Sequence, residues 1–374
     1  MSIEIDVKGI CSEEFAALEE AFAANFVDGL DIGASLCMTQ DGETIVDIWG
    51  GFADAGEQRP WEEDTIANIW SATKIPTIIT TLVCIDRGLL DLDAPVATYW
   101  PEFAQHGKEK ITVREAMTHR ARVPGLKVPI AVESMADWNE CVGRIAAEAP
   151  WFDDDRICYH VFTIGFILGE LVQRVTGKPF RQFFYEELAE PLGADILIAL
   201  NDKSELARVA DFLNAAPMPY AEGDIGGPVF HSFGEPLESD VWFKNWDLRT
   251  AVNPASSGLA NARGLCRLAT MMANGGTLDG RTYLSPATIS EASTEQVHGV
   301  DPMLGDIRLG LGFGLDGSEF PAPTPDAFHW GGYGGSWCFM DTNRRLAGAY
   351  VMNNCGEYED RRMNRFFTTI RSTF

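Results

Sequence analysis

Ser71 and Lys74 stand three residues apart in Trp70-Ser71-Ala72-Thr73-Lys74, the sole S-x-x-K in the chain, at the head of an apolar stretch that runs to Arg87 and stops at Gly88. On a helix, residues three apart share a face, so the amine of Lys74 is expected beside the hydroxyl of Ser71, where the helix N-terminus also favours negative charge. A serine hydroxyl is a weak nucleophile until a neighbouring base takes its proton. A lysine in a dry cleft either gives up its own proton more readily or stays charged and keeps a second base deprotonated. A surface helix cap with a solvated lysine would be spelled with the same letters, so the motif takes its meaning from its company.

Two other stretches supply that company. Tyr159-His160 precedes a helical pattern over Thr163 to Thr176 that ends at Gly177, and Phe328-His329-Trp330-Gly331-Gly332-Tyr333-Gly334-Gly335-Ser336-Trp337 is dense in glycine between strand-like runs. A tyrosine near a helix start is ordinarily a packed ring with a hydrogen-bonded hydroxyl, and a glycine cluster is ordinarily a tight turn. His160 is read as structural. The same glycines would also let a strand edge approach a nucleophile closely enough for backbone N–H groups to face an oxyanion.

With these three stretches in hand, the chain resembles the serine β-lactamase and penicillin-binding-protein superfamily, closest to its esterase branch, the family VIII carboxylesterases; S-x-x-K is one of that superfamily's signatures. The likeness extends through Gly88-Leu89-Leu90-Asp91-Leu92-Asp93-Ala94-Pro95-Val96, Ile111-Thr112-Val113-Arg114 to His119 and Pro124, and Tyr159-His160 with Thr163, Gly165, Leu168-Gly169-Glu170 and Val175-Thr176-Gly177-Lys178. It implies catalytic roles for Ser71, Lys74 and Tyr159: the phenol would take the serine proton during attack, pass it to the leaving alcohol, then activate water, with Lys74 and Tyr159 titrating as a coupled pair. The 328–337 stretch is similar to the family's K-T-G strand with Trp330 in the lysine's place, a W-G-G version familiar among the esterases.

That likeness implies substrate contacts at His329, Trp330, Gly331, Gly332 and Trp337. It implies an oxyanion hole from the backbone N–H groups of Ser71 and Tyr333, with Gly332 or Gly334 as alternative donors and His329 as the alternative start of an H-x-G form. An indole offers no positive charge to a substrate carboxylate, so the pocket should take uncharged small-molecule esters, the ring forming an apolar wall. Val161 stands where true lactamases carry the asparagine of Y-x-N, which argues against efficient lactam cleavage. A β-lactamase, a D-aminopeptidase or amidase, and an acyltransferase share the same acyl-enzyme and stay open, as does a catalytically silent binding or assembly protein on the same fold.

The elements that must position these residues can be traced by period. Phe15, Leu18, Phe22 and Phe26 recur at helical spacing. Ala34 to Thr39 and Glu43 to Trp49 alternate as strands around Gln40-Asp41-Gly42, whose Asp-Gly marks a hairpin. After a turn-rich link from Leu89 to Tyr99, helical periodicity dominates between roughly 100 and 280, in Val113 to Met117, Ala136 to Ala147, Thr163 to Thr176 and Phe180 to Leu188. Strand character returns in Trp337 to Asp341 and Leu346 to Met352, before a closing helix near Glu359 to Ile370. The layout predicts an α/β (α+β) chain in which residues 1–88 and 285–374 form a sheet domain and 89–284 an inserted, mainly helical one, with the cleft between them. The resemblance implies a β-lactamase-like fold with an antiparallel central sheet flanked by helices. Phe230, Phe233, Trp242, Phe243 and Trp246 fall in a Pro- and Gly-rich stretch that either lines the pocket or packs on the helical lobe.

Composition narrows the partners. Of 374 residues 46% are hydrophobic, and 29 Lys and Arg against 55 Asp and Glu leave a net charge of −26. That field repels phosphate backbones and anionic lipid surfaces, so neither nucleic acid nor a membrane is expected. The N-terminus lacks a secretory pattern and no run of about eighteen apolar residues occurs, which together predict a cytoplasmic protein. The oligomeric state, monomer or dimer, is not legible. Eight scattered cysteines without C-x-x-C read as buried reduced thiols. No G-x-S-x-G elbow, H-E-x-x-H pair, P-loop or dinucleotide fingerprint is present, so no metal or cofactor is expected.

Overall fold

A computed structural model describes residues 5–56, 58–214, 225, 228–229, 232–233, 245–355 and 361–374. In chain order its strands are β1 Lys8–Cys11, β2 Gly33–Gln40, β3 Glu43–Gly51, β4 Ala67–Asn68, β5 Ile196–Ile198, β6 Gly258–Ala260, β7 Thr277–Leu278, β8 Arg281–Thr282, β9 Val297–Asp301, β10 Gly305–Leu309, β11 Gly314–Leu315, β12 Phe328–Gly331, β13 Trp337–Asp341 and β14 Leu346–Met352. Nine of them form one antiparallel sheet in the order β1-β3-β2-β14-β13-β12-β11-β10-β9, in which strands from the N-terminal and C-terminal parts of the chain meet where β2 pairs with β14. The β2–β3 hairpin closes through Asp41 and Gly42, both at positive φ, as an Asp-Gly turn of the mirror-image type requires.

Five helices matter for the site: α1 Ala16–Val27, α2 Lys74–Asp86, α3 Thr163–Thr176, α4 Ala262–Ala273 and α5 Arg361–Thr373. On one side of the sheet α1 and α5 cover a core of Phe22, Phe26, Leu36, Trp337, Tyr350 and Phe366. On the other side α4 lies across β2, β13 and β14. The sheet layer therefore reclaims the chain at Ala262, earlier than the boundary expected at 285. The cause is in the sequence of α4, whose Leu265, Leu268, Ala269 and Met272 are all buried.

Beyond α4 the helical layer is built on α2, buried from Lys74 to Cys84 and packed against α3. Its first turn, Trp70–Thr73, is a 3-10 turn rather than α-helix. Gly177 ends α3 in the left-handed conformation at φ 69°. The closing helix is fastened by a fully buried ion pair, Arg362 Nη1 to Asp31 Oδ1 at 2.9 Å, and Arg362 Nη2 also donates to the carbonyl of Gly334 at 2.6 Å, tying the glycine turn to the end of the chain. Seven cysteines are buried and Cys11 is half-buried; all eight are free thiols. No helix among the described residues is long and apolar enough to cross a membrane.

Candidate active site

Ser71 sits at the mouth of a turn under tension. Trp70, just before it, holds φ at 45°, a region that a bulky side chain enters only when its surroundings insist. Those surroundings are identifiable. The Trp70 N–H donates to Asn68 Oδ1 at 2.8 Å, and its indole meets Phe212 and Tyr333 edge-on at centroid distances of 5.4 and 5.9 Å. The turn is also pinned from β6, Ile69 N–H donating to the Gly258 carbonyl at 2.9 Å and Gly258 N–H to Thr73 Oγ1 at 2.9 Å. The Ser71 N–H has no acceptor among the described residues.

Lys74 is 1% exposed and makes three contacts: Ser71 Oγ at 3.0 Å, the Val161 carbonyl at 2.8 Å and the Ala255 carbonyl at 3.1 Å. No carboxylate pairs with it among the described residues. Burial alone therefore acts on its charge and holds the amine well below the usual lysine range. The Ala255 carbonyl is delivered by a rigid loop: Asn253 Oδ1 accepts from Ala255 N–H at 2.9 Å, and Thr77 Oγ1 donates to the Pro254 carbonyl at 2.5 Å. Gly165 in α3 is what lets this loop lie so near, since a Cβ there would stand 2.4 Å from Ala255 N.

Tyr159 comes from the opposite side, its hydroxyl 2.8 Å from Ser71 Oγ and its ring 4.8 Å from Lys74 Nζ. Burial raises the phenol above the ordinary tyrosine range, a shift that hydrogen bonds to Ser71 and to the Trp330 indole partly offset. Ser71, Lys74 and Tyr159, separated by 85 residues between the last two, thus converge on one oxygen atom.

The 328–337 stretch divides between two faces of the sheet. Trp330 turns toward Tyr159 and His119, at 5.6 and 5.8 Å between centroids, yet is only 2% exposed, so its ring supports the tyrosine instead of walling a pocket. His329 and Trp337 do not join the site. His329 is buried between Phe320 and Phe367, and Trp337 lies in the α1/α5 core against Tyr350, Phe366 and Phe367, because strand alternation sends them to the far side. Gly331 and Gly332 stay at the rim. A Cβ on Gly332 would fall 2.0 Å from the Ile69 carbonyl, so only glycine permits this contact with the turn that carries Ser71. The Gly332 N–H is already committed to the Ser336 carbonyl at 2.7 Å, and the Tyr333 ring borders Trp70 and Phe212.

These features match known proteins over nearly the whole chain. Residues 22–369 match the Beta-lactamase family. The chain belongs to that family. Among family members it is similar to the esterase/beta-lactamase LipL of Mycobacterium tuberculosis, 33% identical over 93% of this chain and 83% of that one. Its fold follows a family VIII carboxylesterase at a TM-score of 0.91, with 37% identity and coverage of 99% of this chain and all of the other. A penicillin-binding protein homologue from Caulobacter crescentus superposes at 0.89 with 36% identity over 99% of this chain and all of that one.

Sequence reasoning missed several parts of this cluster. The carbonyls of Val161 and Ala255 carry no side-chain signature, and Val161 drew notice only for a lost amide. Asn68, Phe212 and Asp301 gave no signal at all. Phe230, Trp242 and Phe243 of the aromatic stretch lie outside the described residues; Phe233 packs inside the helical lobe on Phe162 and Phe166, and Trp246 stands under Lys203.

Proposed function

We propose that this protein is a serine hydrolase that cleaves small carboxylic esters through an acyl-enzyme on Ser71, with Lys74 as general base and Tyr159 as general acid. One observation carries the reading: a desolvated amine without a counter-ion and a protonated phenol stand 3.0 and 2.8 Å from the same serine oxygen. A neutral amine has two N–H bonds and one lone pair. The carbonyls of Val161 and Ala255 take the two hydrogens, which leaves the lone pair for the Ser71 proton.

As Ser71 Oγ attacks the ester carbonyl, its proton moves to Lys74, and the developing oxyanion meets the N–H groups of Ser71 and Tyr333. Tyr159, kept protonated by burial, gives its proton to the departing alkoxide and recovers one through Lys74. Water then attacks the acyl-enzyme by the same route in reverse, releasing the acid. This order makes lysine the first base, in place of the phenol that the resemblance implied.

The ester reading is supported by position 330, whose buried indole leaves no cation there to hold a substrate carboxylate, and by the likeness to a family VIII carboxylesterase and an esterase/beta-lactamase. Turnover of p-nitrophenyl butyrate set against nitrocefin tests it. Fast ester and slow nitrocefin hydrolysis, both lost in Ser71→Ala, is the expected result; the reverse preference would favour an amide-cleaving enzyme. Mass spectrometry after fluorophosphonate treatment covers the remaining reading: an unlabelled Ser71 together with no turnover would mean a silent binding protein.

A further inference from the structure

His119 holds a left-handed backbone that few non-glycine residues adopt. It follows the short helix Val113–Met117 at the position where a chain turns left-handed, with φ 59°, a place that glycine or asparagine takes without strain. The imidazole is 1% exposed, and burial and the neighbouring His160 and Lys74 keep it neutral. A strained, buried polar ring calls for a use elsewhere.

That use is visible in the three consecutive N–H groups around Tyr159. Cys158 N–H donates to the His119 carbonyl at 3.1 Å, His160 N–H donates to His119 Nδ1 at 3.1 Å, and Tyr159 N–H donates to Asp301 Oδ2 at 2.5 Å. The His119 ring meets the phenol ring edge-on at 4.9 Å and lies nearly parallel to the Trp330 indole. One residue thus grips the backbone on both sides of Tyr159 and presses on the ring between them. Asp301 fixes the middle link, and its other oxygen is held by the N–H groups of Met303 and Leu304 at 2.7 and 2.9 Å.

We propose that His119 is a positioning residue for Tyr159, seconded by Asp301: it aims the phenol at Ser71 without touching substrate. The inference rests on the proposed role of Tyr159 in proton transfer. Because Nδ1 accepts, the neutral ring carries its hydrogen on Nε2, and that N–H is buried without a partner among the described residues, so the tautomer serves the tyrosine segment and nothing else.

The test compares His119→Gly with His119→Asn in the full-length protein. Glycine relieves the backbone strain and removes both ring and acceptor; asparagine tolerates the left-handed turn and places an oxygen close to where Nδ1 stands. In His119→Gly, kcat is expected to fall on the order of tenfold to a hundredfold with little change in KM, the scale of a misplaced catalytic group. His119→Asn should recover much of it, and adding either change to Tyr159→Phe should cost nothing further. A second readout needs no turnover: with 13C-labelled tyrosine, the Tyr159 phenol should titrate above the ordinary range in the native protein and move toward it in His119→Gly. An unmoved phenol titration, or kcat losses that add in full to those of Tyr159→Phe, would overturn the proposal. If the unmodified protein hydrolyses no ester, the functional reading fails by itself and the phenol titration still decides the role of His119.

Discussion

Lys74 Nζ lies 3.0 Å from Ser71 Oγ with its two remaining hydrogen-bonding directions filled by backbone carbonyls. No acidic side chain among the described residues shares the amine, so its proton affinity is set by dryness, and the serine is its only partner that can give up a proton.

The pH dependence of ester hydrolysis should follow from this. In the proposed mechanism the Lys74 conjugate acid loses its proton before it acts, and burial lowers its pKa. Activity should therefore climb with pH through an ionisation below the ordinary lysine range and reach a plateau before that range begins. A kcat/KM profile that rises only where free lysines titrate would contradict it. Lys74→Arg, which cannot deprotonate, should lose at least about a thousandfold in kcat.

Removing the phenol oxygen isolates the acid step. Tyr159→Phe should lower kcat by roughly a hundredfold to ten-thousandfold, the usual worth of a positioned proton donor. KM should change little, since the ring and its packing remain. Steady-state kinetics with esters of good and poor leaving groups check this: the loss should be smaller for p-nitrophenol, which leaves without protonation, than for a simple alcohol.

Gly332 sets the distance between the glycine turn and the Ile69–Ser71 turn. Gly332→Ala would thrust a methyl group to 2.0 Å from the Ile69 carbonyl, which neither backbone can yield cheaply. The expected outcome is loss of activity by a hundredfold or more, on the order expected for an ångström of misplacement, with a fall in Tm. Gly331→Ala, whose nearest contact would be 3.3 Å, should be far milder. Equal tolerance of the two changes would refute the close-approach reading.

Acid should unfold the protein through its buried histidines. His160 and His329 have pKa values lowered to about 4 by burial, below the unfolded value near 6.5. The unfolded chain binds the extra protons, so full stability holds above about pH 6.5 and is lost as pH falls toward 4. At pH 5 each contributes a loss of about 2 kcal/mol by linkage. Urea midpoints at pH 7 and pH 5 should differ accordingly, and His329→Leu should narrow the gap; identical midpoints at the two pH values would dispose of the idea.

Much of this was legible in the residues. The S-x-x-K spacing placed Lys74 beside Ser71 because helical periodicity is local, and the Asp41-Gly42 turn and the strands Trp337–Asp341 and Leu346–Met352 could be traced for the same reason. What escaped was tertiary. That α4 lies on the sheet and not in the helical lobe depends on which partner its apolar face meets, and periodicity is silent on partners. His329 and Trp337 were placed at the site by the family resemblance of their stretch, but a side-chain period of two sends His329 to the face opposite Trp330, and Trp337, paired with Gly331, to that same far face. Backbone carbonyls, which complete the surroundings of Lys74, have no letter in the alphabet at all.

The dryness around Lys74 has a developmental side. The helix bearing Ser71 and Lys74 is made early in synthesis, whereas the loop carrying Ala255 is made some 180 residues later. Until that loop docks, the amine lacks one of the two carbonyls that hold it and part of the cover that dries it. Chemical reactivity at Ser71 should therefore emerge only after the loop carrying Ala255 has folded home.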